Sequence, residues 1–172
     1  MLDVAAVAGT LIPTGPLRHL SAAQHGAIIF LIALQDLGKI SASFKAQIVE
    51  KRSPDDIARH WRLSEFLLYY HDALIAALVG GSAEVREVFY VAVAGHHGRP
   101  PPQQFDQRVT QRQKMAIGLQ ALADSGTTIT ALAPVFGPMT LDGIDEATAR
   151  RLGLSAGCAM ALCAGAVRGR GD

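Results

Sequence analysis

Ala27-Ile28-Ile29-Phe30-Leu31-Ile32-Ala33-Leu34-Gln35-Asp36-Leu37-Gly38-Lys39 is the stretch on which the fold turns. From Ala27 to Leu34 every residue is apolar. A helix that is apolar all round is buried on all sides, so this one is expected at the centre of a helical domain. The run is too short to cross a bilayer, which needs about 20 residues. Ser21 is placed to cap its start, and Gly38 to break or bend its end. At that end a carboxylate and an ammonium, Asp36 and Lys39, stand three residues apart. A carboxylate there is costly unless it is paired or ligates a cation. Both readings stay open: an Asp36–Lys39 pair, or a cation site.

Working outward, helical spacing covers residues 2–12, stopped by Pro13-Thr14-Gly15-Pro16, and Ser41 to Glu50, followed by the turn cluster Ser53-Pro54-Asp55-Asp56. His60 to Val79 reads as one amphipathic helix ended by Gly80-Gly81. Ala83 to Ala94 reads as another, closing at Gly95-His96-His97-Gly98 and leaving through Arg99-Pro100-Pro101-Pro102. Phe105 to Ala123 has helical spacing with a Gln/Arg face, and 125–142 is expected to be loop-rich. A last helix starts near Asp145. No stretch alternates with period two, so the fold class is all-α.

The 172 residues are 49% hydrophobic and 18% charged, which suits one folded domain and excludes a disordered chain. A net charge of +1 excludes a uniformly basic nucleic-acid binder and leaves room for a local basic surface. Cys158 and Cys163 have neither metal-ligand nor redox spacing, which suits a reduced, cytoplasmic setting. The first residues carry Asp3 and no basic stretch, so they do not read as a secretory signal, and no membrane association is expected. No Walker-type phosphate loop is present, so ATP-driven unwinding would have to come from another polypeptide.

Three places can carry chemistry. Asp36 with Lys39 is the first. The second is His96-His97 between two glycines: adjacent helical residues point about 100° apart, so both rings converge only where a helix ends. Imidazoles there suit divalent transition metals, although two polar loop histidines are the plain alternative. The third is His60, at a helix start and followed by Trp61-Arg62-Leu63-Ser64; alone it reads as surface. Together, an aspartate and histidines from three helices can hold one or two divalent ions, lower the pKa of bound water and clamp a phosphodiester. Lys39 could neutralise charge on the phosphoryl group. His71-Asp72, a literal His-Asp doublet, lies mid-helix with no following Gly-Lys and reads as structural. Arg59, Arg62 and Arg99 neighbour the candidate ligands and suit phosphate contacts, or ordinary solvated charge.

Leu34-Gln35-Asp36-Leu37-Gly38-Lys39, then Ser43-Phe44-Lys45, His60 with Ser64, and Ala94-Gly95-His96-His97-Gly98 together resemble the HD nuclease domain of the CRISPR-associated Cas3 family. The likeness runs from about residue 2 to about residue 150. It implies an all-α, HD-like bundle over 1–152 and a metal-dependent nuclease degrading single-stranded DNA. The partners implied are a Cas3-type helicase and a guide-RNA surveillance complex. By resemblance Asp36, His60, His96 and His97 are metal ligands and Lys39 is the site lysine; the ion expected is Mn, Ni, Co or Fe, and Arg62 and Arg99, next to the ligands in sequence, are expected to bind substrate.

The chain also departs from the family. Gln35 stands where the doublet has histidine, and an earlier family histidine would precede Leu2. Leu122-Ala123-Asp124 looks like the family's late aspartate motif but comes early. The ligands present suffice for one ion rather than a pair. Residues 153–172 form a Gly/Ala-rich tail foreign to the family, which gives the expectation of a truncated or frame-disturbed descendant. A catalytically inactive module that binds the surveillance complex or DNA is the alternative function. A nucleotide phosphohydrolase of the wider HD superfamily is a third, disfavoured by the Phe44 and Gly-His-His-Gly context.

Overall fold

The computed structural model describes residues 2–15, 17–51, 58–97 and 107–153, with the side chains of His97 and Gln107 excepted. Among these residues the secondary structure is helical throughout, and the domain is an all-α, HD-like bundle. Helix α1 spans Leu2–Leu11 and runs into a 3₁₀ turn at Ile12–Thr14 that contains Pro13. Helix α2 spans Ala22–Ala33. Its start is a complete capping box: Ser21 Oγ accepts from Gln24 N–H, and Gln24 Oε1 accepts from Ser21 N–H. Helix α3 is Ala42–Glu50, α4 His60–Tyr70, α5 Asp72–Val79 and α6 Ala83–Ala94, closed by a turn at Gly95–His97. Helix α7 is Gln107–Ile117, α8 Leu119–Leu132, and a last helix, α9, covers 146–153.

The apolar run of α2 is where the sequence puts it. Ile28, Phe30, Leu31 and Leu34 are fully enclosed, packed with Leu63, Leu67 and Leu68 of α4 and with Phe89, Tyr90 and Val93 of α6. Each such side chain contributes about 1.5–3 kcal/mol when buried, so this shared core helps hold α2, α4 and α6 together. No single helix among the described residues is long and apolar enough to cross a membrane.

Two helix expectations need correction. His60–Val79 is not one helix: it breaks at His71, whose φ of −101° and ψ of 19° leave the helical range. Tertiary partners hold the break. Ser125 Oγ donates to Leu122 O at 2.7 Å, which leaves it to accept from His71 Nε2, also at 2.7 Å. Asp72 takes Arg86 Nε and Nη2 on its two oxygens, each at 2.8 Å, and Tyr90 Oη donates to it as well. The His-Asp doublet is thus committed to joining α5, α6 and α8.

The second correction is beyond α7. The break falls at Gly118, which adopts φ +83°, and α8 then runs unbroken through Gly126 to Leu132 where a loop was expected. Gly126 acts there as a packing residue: a Cβ would lie 3.2 Å from His71 Cε1. Ser53-Pro54-Asp55-Asp56, the Arg99–Pro102 exit, Phe105, the two cysteines and all of the tail after Gly153 lie outside the described residues.

Glu65 of α4 was not singled out by its sequence. It sits in an apolar run and is 3% exposed. Burial pushes its carboxyl up to about 8, with Glu87 adding to the rise and Arg62 opposing it. The folded protein therefore holds this proton where the unfolded chain has released it. The stabilisation is complete below the ordinary value of 4.5 and is lost as pH rises toward 8. Glu65→Gln is expected to remove a slope of about 1.4 kcal/mol per pH unit over that window. Urea unfolding at pH 5, 6, 7 and 8 checks this; parallel wild-type and variant curves would refute it.

Candidate metal centre

Beyond Ala33 the chain tightens into a 3₁₀ helix over Leu34–Ile40. Runs of this length are uncommon, because 3₁₀ hydrogen bonds have poorer geometry. Here packing against α4 accounts for it. Gly38 lies so close to α4 that a Cβ would press on His60 O and stand 2.7 Å from Ser64 N. Gly38 N–H donates to the buried Ser64 Oγ at 2.8 Å. In a 3₁₀ helix residues i and i+3 eclipse, so Asp36 and Lys39 share one edge, and Lys39 Nζ donates to Asp36 Oδ2 at 2.9 Å. Gln35 is buried next to them.

The pair uses only one carboxylate oxygen. Asp36 Oδ1 stands 3.6 Å from His60 Nε2 and 3.6 Å from His96 Nε2. The three groups offer ligand atoms all within 4.8 Å of one another, and they form the sole cluster of its kind among the described residues. His60 comes from the first turn of α4. Its ring meets Phe44 edge-on with centroids 5.5 Å apart. Phe44 is itself fixed at the start of α3, where its N–H donates to the capping Ser41 Oγ at 3.2 Å. His96 comes from the turn that closes α6, where Gly95 ends the regular helix.

His96 decides what the cluster can do. Val93 O, a pure acceptor, lies 3.0 Å from Nδ1, so Nδ1 carries the hydrogen. Burial pushes the ring's pKa down, with the Val93 hydrogen bond and Asp36 opposing and Lys39 assisting. The neutral ring then presents the Nε2 lone pair to a carboxylate oxygen, acceptor facing acceptor. Such a donor set is what a divalent cation completes, and a backbone-held Nδ1–H is the usual device for orienting a ligating imidazole. Two atoms bound at about 2.1 Å to one ion stand about 3.0–3.4 Å apart, so a small inward movement of these groups seats one. The residues fit a metal.

The other candidates divide. Lys39 lies at the site with its side chain 43% exposed. Arg62 is on the first turn of α4, its guanidinium 5.3 Å from the Trp61 ring centroid. The backbone of His97 continues the closing turn; its side chain and all of Arg99 lie outside the described residues. Asp124 is exposed on α8 and held by Gln120 Nε2 at 2.8 Å, apart from the cluster. Sequence reasoning did not foresee how Gly38 and Ser64 work. The signal was present, since Ser64 follows His60 by one helical turn.

An all-α bundle that gathers an aspartate and two histidines at one end has the form of an HD-type domain with a candidate metal centre. The family model described as Cas3, HD domain matches residues 1–164, and the chain belongs to that family, a CRISPR-associated nuclease-type domain. Neither the curated proteins nor the solved structures returned a match.

Proposed function

We propose that the domain is a metal-dependent nuclease acting on single-stranded DNA in type I CRISPR interference. The observation that supports this most is the convergence of Asp36 Oδ1 with the Nε2 atoms of His60 and His96. These three atoms would hold one divalent ion, Mn, Ni, Co or Fe, with His97 as a fourth ligand. When bound, the ion lowers the pKa of a water and offsets phosphoryl charge. Lys39 orients Asp36 through Oδ2, and its partly exposed ammonium is placed to meet a phosphodiester oxygen. Arg62 and Arg99 would hold the DNA backbone.

In this reading the nuclease occupies 1–152, with 153–172 an appended tail. It works in the cytoplasm beside a Cas3-type helicase recruited by a guide-RNA surveillance complex. Circular single-stranded DNA incubated with the protein and Mn²⁺, Ni²⁺ or Co²⁺ should be cut, and EDTA should stop the cutting. Absence of cutting with every metal would overturn the reading.

Gln35 supports a second reading, a binding module that competes for the surveillance complex or DNA without cutting. An amide ligates transition metals far less well than imidazole. Gln35→His is expected to raise cleavage at least tenfold, and no gain on the same circular DNA would mean that this position does not limit the site.

A further inference from the structure

We propose that Ser64 is a positioning residue for the metal centre, an inference that rests on the metal reading above. Asp36 and His60 belong to different elements, the 3₁₀ segment and α4, and their 3.6 Å separation depends on how those elements abut. A buried side-chain hydrogen bond crosses that seam. Ser64 Oγ, on a fully enclosed residue, accepts Gly38 N–H at 2.8 Å. Gly38 lies two residues from Asp36 and one from Lys39, while Ser64 lies one helical turn beyond His60, so the bond ties the carboxylate's backbone directly to the imidazole's helix. Gly38 also sits too close to α4 for any Cβ, so little slack remains in the seam. Without the hydroxyl, a buried N–H would be left without its partner, and the 3₁₀ segment would lift to find another. That movement would separate Asp36 Oδ1 from His60 Nε2 while leaving His96 in place.

The test is Co²⁺ binding to the full chain, read by the visible absorption of the bound ion, together with the His60 ring resonances of the metal-free protein. Ser64→Ala is expected to weaken Co²⁺ binding about 10–100-fold, the usual effect of removing a group that orients a ligand. It should also change the Co²⁺ spectrum and shift the His60 signals. Ser64→Thr, which keeps the hydroxyl, should restore affinity to within about threefold. Ser125→Ala removes another buried hydroxyl, one bonded to His71 and Leu122 rather than to a cluster residue, and should leave Co²⁺ affinity and spectrum unchanged.

An affinity and spectrum in Ser64→Ala equal to wild type would overturn the proposal, and so would an equal loss in Ser125→Ala. If Ser64→Ala does not fold, Ser64→Cys decides: it keeps the shape but accepts weakly, and wild-type affinity in it counts against the proposal. If the wild type binds no Co²⁺, the metal reading fails; the His60 signals still report on positioning, and unshifted signals in Ser64→Ala overturn it.

Discussion

Gly38→Ala is expected to cost about 3–5 kcal/mol, most of the stability of an ordinary domain. A Cβ at this position would press on His60 O and Ser64 N. Both are backbone atoms inside α4, so no rotamer change relieves the clash. Separating the elements would also remove the Gly38–Ser64 hydrogen bond. Overpacking and the loss of a buried hydrogen bond each cost about 1–3 kcal/mol. Gly9→Ala is the internal comparison. It lies within α1, and its Cβ would meet Ile29 Cδ1 at an ordinary 3.9 Å, so it should be neutral or slightly stabilising. Urea unfolding of the two variants measures the contrast; equal effects would mean that the seam between the 3₁₀ segment and α4 is not tight.

Asp36→Ala is expected to do the opposite: little change in metal-free stability, and a loss of metal-dependent cleavage on the order of 10³-fold. The stability side follows from what the carboxylate touches. Its bond to Lys39 is a partly exposed pair of small net value. Its other oxygen stands 3.6 Å from the Nε2 atom of each imidazole, longer than a hydrogen bond, so little is lost there when it is removed. The activity side follows from ligand count. Asp36 is the single carboxylate of the cluster, and its Oδ1 stands 3.6 Å from the Nε2 atom of each histidine. A metal is worth several kcal/mol to a phosphoryl transition state, and each 1.4 kcal/mol is tenfold in rate. Melting curves in EDTA, paired with cleavage of circular DNA in Mn²⁺, separate the two effects. A variant that melts far below wild type in EDTA would show Asp36 to be a structural residue.

Much of this was legible in the residues. The apolar run to Leu34, the Ser21 cap and the glycine-flanked histidines carry local signals strong enough to set α2 and the end of α6. The sequence left Asp36 between a lysine pair and a cation site; in the structure Oδ2 takes the lysine, while Oδ1 faces the two imidazoles of the candidate site. What could not be read depends on partners distant in the chain. The break at His71 needs Ser125 and Arg86, and the continuation of α8 through Gly126 needs the His71 ring packed against it. Gly126 looked like a loop residue because a glycine's local preference does not reveal a neighbour that demands its small size. Glu65 escaped notice for the same reason, since only the packed bundle shows that it is enclosed.

The most direct measurement is anomalous X-ray scattering from crystals of the protein grown with Mn²⁺ or Co²⁺. One ion per chain is expected, within about 2.3 Å of Asp36 Oδ1, His60 Nε2 and His96 Nε2. A fully ordered site with no anomalous peak between those three atoms, or a peak held elsewhere, would contradict it.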